Sequence, residues 1–224
     1  MRQPFFKDFL TMKTLAVFDL DGTLIDSLAD LANAINHTRA AAGLSQLTLD
    51  EANSCVGNGV DNLIDKAIPA EAMEHDTAKG IFKEFYSKHS TDFTKLYPGT
   101  KESIERLKAA GVICCVVTNK PFAACKVLLD TFGISSIFDE IIGGGSGFTL
   151  KPEPEALLYL KEKYNAENCF MCGDHYTDLE CARRAGFTSI LAAYGFGDPR
   201  SEVPVFKAET ITHAADMILK NRVE

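Results

Sequence analysis

Asp19 and Asp21 stand one residue apart in VFDLDGTLIDS, residues 17–27, directly after an apolar run and directly before Gly22. Like charges this close repel, and the end of an apolar segment is a poor place for them unless something neutralises them. Further along, Thr118 and Asn119 end a second apolar run. The stretch GGGSGFTLKP carries Lys151, and Asp174 and Asp178 follow a third run in GDHYTD. Clustered carboxylates are hard oxygen donors that suit Mg²⁺, which commonly takes one or two of them together with a substrate phosphate. A lysine can then offset the remaining phosphoryl charge, and a threonine hydroxyl can donate a hydrogen bond to it. A free aspartic acid titrates at about 3.9, so Asp19 is a ready anion.

These residues meet only if the runs before them are strands of one sheet. Short apolar runs at 14–18 (TLAVF), 112–118 (VICCVVT), 139–142 (DEII), 168–172 (NCFMC) and 188–192 (TSILA) read as buried strands. Helical patterns lie between them. Residues 100–110 stop at Gly111, and 121–132 open on Pro121, a good first helical residue. Residues 153–164 and 176–185 follow the same plan. This alternation predicts an α/β fold: a Rossmann-like, doubly wound parallel sheet with helices on both faces. Ligands of such sheets bind beyond the carboxyl ends of the strands, which is where Asp19, Asp21, Thr118, Asn119, Asp174 and, after a turn, Asp178 fall.

Residues 26–95 break the rhythm. Leu28, Leu31, Ile35 and Arg39 share one helical face, Val60, Leu63, Ile64 and Ala67 another, and Ile81, Phe82, Phe85 and Tyr86 a third. The spacing predicts a helical bundle inserted after the first strand as a cap, with Leu96-Tyr97-Pro98-Gly99 as the return. The core domain would then comprise 12–25 and 96–224, with residues 1–11 as a loose or weakly docked N-terminal extension.

The 224 residues carry a net charge of −8, with 46% hydrophobic and 24% charged. An acidic chain gives no support to a general nucleic-acid or anionic-membrane surface, and no apolar run approaches the roughly 18 residues of a membrane span. The start, MRQPFFKDFLTMK, is too polar and short for a secretory signal. Seven cysteines lie in apolar segments. Cys169 and Cys172 form a C-x-x-C pair, but on a strand residues three apart point to opposite faces. They read as buried thiols of a cytoplasmic protein.

DLDGT, a strand ending in TN, then KP, then GDHYTD resembles the ordered motifs of the haloacid dehalogenase superfamily across residues 12–220, and the inserted helices resemble its helical cap. The strings VTNKP and VGNG, with YPG at the cap exit, are similar to its phosphoglycolate phosphatase branch. The resemblance implies a Mg²⁺-dependent phosphomonoester hydrolase acting on a small phosphorylated metabolite. Asp19 would be the nucleophile that forms an aspartyl-phosphate, and Asp21 the general acid and then base. Thr118 and the Asn119 backbone would hold phosphoryl oxygens, and Lys151 would neutralise charge. Asp19, the Asp21 carbonyl and Asp174 would hold Mg²⁺, supported by Asp178. Leu20, Asn119 and the cap loop Gly57-Asn58-Gly59 are candidate substrate contacts, the last also readable as a simple turn between helices. Relatives often carry Ser or Thr where this chain has His175, whose ring either faces the site or packs locally. A monomer or homodimer is expected.

Other readings compete. A phosphosugar mutase resembling β-phosphoglucomutase would return the phosphoryl group to a bound sugar. A phosphoaspartate receiver also gathers acids, Thr and Lys at strand ends, but is shorter and lacks the insertion. A calcium loop needs a further ligand before its glycine and a helix before the loop. GGGSG lacks the Gly-Lys-Ser/Thr ending of a phosphate loop, and Ser146 lacks the spacing of a nucleophile elbow. Arg39, Lys66 and Lys83 read as a solvated helix face or as anchors for a substrate carboxylate.

Overall fold

The computed structural model describes residues 12–222; the expected N-terminal extension lies outside them. Strand β1 (Lys13–Phe18) is central, flanked by β4 (Ile113–Pro121) and β6 (Ala166–Gly173). Beyond them lie β5 (Glu140–Gly144) on one side, and β7 (Thr188–Ala192) and β8 (Phe206–Ala208) on the other. The order β5-β4-β1-β6-β7-β8 is parallel throughout. The chain leaves β1 towards β4 and β5, then returns to the opposite flank at β6. This reversal opens a crevice at the carboxyl edge beside β1.

Strand periodicity sorts the core into two layers. Ala16, Phe18, Cys114, Val116, Phe170 and Cys172 face one layer. It is covered by α5 (Thr100–Ala109), α6 (Phe122–Thr131) and α9 (Ile211–Asn221). Leu15, Val17, Cys115, Val117, Cys169 and Met171 face the other, under α7 (Glu155–Tyr164) and α8 (Tyr176–Ala185). Cys169 and Cys172 thus lie on opposite faces, and all seven thiols are buried and unpaired. No helix among the described residues is long and apolar enough to cross a membrane.

Four helices follow the first strand: α1 (Leu28–Ala41), α2 (Leu49–Asn53), α3 (Val60–Ala67) and α4 (His75–His89). Leu31, Ile35, Leu63, Ile64, Phe82 and Tyr86 bury against one another in a hydrophobic cluster separate from those of the sheet. Where no strand is expected, Ile25–Asp26 (β2) pairs antiparallel with Lys95–Leu96 (β3) at the two passages into and out of the bundle. The buried Asp30 fastens this junction. Its carboxylate accepts from the Phe93 N–H at 3.1 Å, the Thr94 N–H at 2.8 Å and the Thr94 hydroxyl at 2.6 Å. Charge-assisted bonds of this kind leave unsatisfied donors when broken. Asp30→Ala is therefore expected to lower unfolding stability by about 3 kcal/mol in urea titration; a change within experimental error would contradict this role.

Candidate active site

Strand β1 ends on Asp19, whose N–H still donates to the Cys172 carbonyl at 2.9 Å. The chain then folds back on itself: the Gly22 N–H donates to Ile25 O at 2.8 Å and the Leu24 N–H to Leu20 O at 2.9 Å. Gly22 has φ +74°, and a Cβ there would fall 1.7 Å from Asp174 Oδ2. Only glycine permits both the turn and the approach of Asp174. The loop after β7 completes the enclosure: Phe196 and Gly197 donate their N–H groups to Asp174 Oδ2 at 3.1 and 2.7 Å. This Gly195-Phe196-Gly197 segment was not singled out in the sequence; its signal is two glycines flanking one residue just past a strand end.

Lys151 joins the acids from the loop between β5 and α7. Its ammonium lies 2.6 Å from Asp178 Oδ1, 2.9 Å from Asp19 Oδ1 and 2.7 Å from the Val117 carbonyl. Its donors are aimed at Asp178 and Val117, so Asp19 Oδ1 is buried without a hydrogen bond. The Asn119 amide holds the Lys151 backbone on both sides, accepting from its N–H at 2.8 Å and donating to its carbonyl at 2.9 Å. Burial works against the Lys151 ammonium, but Asp178 and Asp19 outweigh it and hold its pKa above the usual lysine range.

The acids themselves are under electrostatic pressure. Burial pushes Asp19 up to about 6, with Lys151 opposing and Asp178 adding to the rise. Burial, then Asp178 and Asp19, raise Asp174 well above the ordinary carboxylate range, against the opposing Gly197 N–H. One oxygen from each of Asp19, Asp174 and Asp178 lies within 4.8 Å of the others. Lys151 contacts only two of the three carboxylates. An unsatisfied carboxylate oxygen in a cluster with excess negative charge and hard donors fits a divalent cation of the Mg²⁺ type. The Asp21 side chain is not in this cluster, although its carbonyl accepts no hydrogen bond among the described residues.

Asp21 turns instead to a different set of partners. Lys120 Nζ lies 2.9 and 3.0 Å from its two oxygens, and Ser27 donates its hydroxyl at 2.5 Å. Lys120 also donates to the Tyr86 hydroxyl of α4 at 2.8 Å. Burial opposes its charge, but Asp21 and Tyr86 raise its pKa on balance. Lys120 was missed as a site residue, although it lies only two positions after Thr118 on β4, where the strand register shifts.

A cavity of about 750 Å³ between sheet edge and cap is lined by Asp19, Asp21, Thr118, Asn119, Lys120 and Asp174, among others. Gly57 and Gly59 also line it; Asn58 does not, because its side chain accepts from the Tyr176 hydroxyl at 2.7 Å. The Leu20 side chain is wholly in the core and offers the site only backbone. His175 is buried at the cavity wall and also packs locally: its Nδ1 accepts from the Thr177 N–H at 3.4 Å at the start of α8. Its ring occupies the place a Cβ on Gly57 would need, 2.6 Å away, and burial lowers its pKa to about 4. Of the basic cap residues, Arg39 donates to the Ser45 and Ala67 carbonyls and stays out of the cavity. Lys66 and Lys83 line it, joined by Arg200, whose guanidinium lies 3.6 Å from the Tyr176 ring centre.

A doubly wound sheet whose switch point gathers carboxylates around a buried lysine, with helices over the cavity, places the protein among α/β proteins with a helical insertion above the site. The chain belongs to the haloacid dehalogenase-like hydrolase family, whose model matches residues 16–192. It is 36% identical over 217 residues to a phosphoglycolate phosphatase of Vibrio parahaemolyticus, covering 91% of this chain and 95% of the relative. It is 34% identical over 222 residues to a phosphoglycolate phosphatase of Psychrobacter arcticus, covering 93% and 96%. Among solved structures, a predicted phosphoglycolate phosphatase from Haemophilus somnus superposes with a TM-score of 0.87 at 31% identity, covering 93% of this chain and 99% of that one.

Proposed function

We propose that this hydrolase is a Mg²⁺-dependent phosphatase of a small phosphorylated metabolite, with 2-phosphoglycolate the first candidate, acting through an aspartyl-phosphate. The observation that carries the reading is the division of partners between two acids in one turn: Asp19 faces Lys151 and the acidic cluster, and Asp21 faces Lys120 and Ser27. Such a split suits two different tasks.

Asp19 attacks phosphorus in line, and the bond from phosphorus to the leaving oxygen breaks. Asp21 passes its proton to that oxygen, which leaves as the alcohol. Asp21 then takes a proton from water as the water attacks the aspartyl-phosphate, freeing Asp19 and inorganic phosphate. The Thr118 hydroxyl and the backbone of Leu20 and Asn119 hold phosphoryl oxygens, while Lys151 offsets charge on the nucleophile. Asp19, Asp174 and the Asp21 carbonyl would hold Mg²⁺ with Asp178 behind them, and the ion would offset phosphoryl charge. The loop at Gly57 and Gly59 meets the substrate from the cap side. The unpaired thiols support a reducing, cytoplasmic setting. Purified protein with Mg²⁺ is expected to release phosphate from 2-phosphoglycolate within a panel of phosphorylated metabolites. Release from no member of the panel, an aryl phosphate included, would overturn the reading.

Metal binding should depend on pH in a defined direction. The cation requires ionised Asp19, whose folded-state pKa is raised to about 6. Above that value the carboxylate is open to the ion; as pH falls through it, a proton competes. The apparent dissociation constant for Mg²⁺, measured by calorimetry, is expected to rise at least about tenfold per pH unit below 6, and more steeply where Asp174, whose pKa burial also raises, must lose a proton too. A constant value between pH 7.5 and 5 would contradict this.

A further inference from the structure

Lys120 is buried, yet its ammonium is shared between two parts of the molecule. On the sheet side it binds both oxygens of Asp21, at 2.9 and 3.0 Å. On the cap side it donates to the Tyr86 hydroxyl at 2.8 Å. Tyr86 belongs to α4, and its ring is buried in the cap's own hydrophobic cluster, 5.7 Å from the Phe82 ring centre. The hydroxyl therefore sits where the cap puts it. Asp21, by contrast, follows β1, and Lys120 lies on β4. A plain counter-ion for Asp21 would need no partner on the cap.

The carboxyl of Asp21 has little else to fix it. Ser27 holds Oδ1 at 2.5 Å, and Ser27 itself stands at the passage into α1. Both known holds on Asp21 thus depend on where the cap begins or lies. The backbone of Lys120 is tied to the same edge, its N–H donating to the Thr118 hydroxyl at 3.2 Å.

We propose that Lys120 is a positioning residue that aims the Asp21 carboxyl, and that its bond to Tyr86 makes this aim hold only while the cap lies over the site. The proposal rests on the role of Asp21 as proton donor given above. It assigns a task to a residue pair, Lys120 and Tyr86, that lies outside the nucleophile and the metal cluster. Binding of substrate beneath the cap and readiness of the acid become one event, so an open site holds a nucleophile without a correctly aimed proton donor.

The test exploits leaving-group chemistry. An alkyl phosphate such as 2-phosphoglycolate expels a poor leaving group and needs the proton. The p-nitrophenyl ester expels a stable anion and needs it little. Lys120→Met is expected to lower kcat on the alkyl ester by about 100-fold and on the aryl ester by less than about tenfold. Tyr86→Phe keeps the buried ring, removes only the hydroxyl bond, and should show the same selectivity with about a tenfold loss on the alkyl ester. If Lys120→Met fails to fold, Tyr86→Phe decides alone. Equal losses on both esters, or no loss in Tyr86→Phe, would overturn the proposal. If the unaltered protein hydrolyses neither ester, the fault lies with the phosphatase reading and not with Lys120.

Discussion

Asp19→Asn releases phosphate at less than about 10⁻⁴ of the unaltered rate: this is the largest effect expected of any single substitution. The amide keeps the shape of the side chain, so the loss comes from the missing nucleophile and not from a rearranged site. Stability should move the other way. The pKa of Asp19 is raised from 3.8 to about 6 on folding, chiefly by burial. The folded state therefore holds that proton more tightly than the unfolded chain does. Its contribution is unfavourable at neutral pH and vanishes as pH falls through 6 towards 4. The neutral amide removes that burden, and the metal-free variant is expected to be more stable than the unaltered protein by about 1–3 kcal/mol at pH 7. Urea titration checks this; a destabilised variant would mean that Asp19 helps hold the fold.

Lys151→Met carries the second largest effect, and here activity and stability fall together. The ammonium is buried against Asp178, Asp19 and the Val117 carbonyl. Without it, among the described residues, the fully buried Asp178 keeps only the His175 N–H at 3.1 Å and the cluster loses its one contacting side-chain cation. Removing one partner of a buried pair costs about 3–5 kcal/mol, which at this chain length lowers the melting temperature by roughly 10 °C. Turnover should fall about 1,000-fold, because charge on Asp19 and on the phosphoryl group goes unbalanced. Combining Lys151→Met with Asp19→Asn should cost less stability than the two separate effects imply, since one of the stranded carboxylates is gone. Strict additivity would contradict the shared ion pair.

The same physics explains what could be read from the chain in advance. Asp19, Thr118 and Asp174 follow apolar runs whose side chains the sheet must bury, so their place at one edge follows from the strands themselves. Lys151 and Asp178 lie on the loop and turn after two of those strands, and their roles were legible only through the resemblance of KP and GDHYTD to the family motifs. Lys120 escaped notice because its meaning lies in Tyr86, on a helix 34 residues away, and in no local pattern. The β2–β3 ribbon escaped because two-residue strands have no periodicity to detect, and β8 because only Ala208 of its three residues is buried. Pro121 was expected as the first residue of a helix; it ends β4 and stands one position earlier, at the N-cap of α6. For His175 the sequence left open a ring facing the site, pointing to solvent or packing locally. Gly57, at φ +111° and bare of a side chain, admits its ring under the cap loop, at the wall of the cavity.

The central claim is that the phosphoryl group passes through Asp19. Protein mixed with 2-phosphoglycolate and Mg²⁺, quenched in acid within one turnover and reduced with borohydride, should carry homoserine at position 19, the reduction product of an aspartyl-phosphate. With p-nitrophenyl phosphate in place of 2-phosphoglycolate, a leaving group that needs little protonation, Asp21→Asn slows only the hydrolytic step and should increase the yield. Unmodified aspartate at position 19 in a sample that is turning over substrate, or the label at Asp21 or Asp174, would contradict the account.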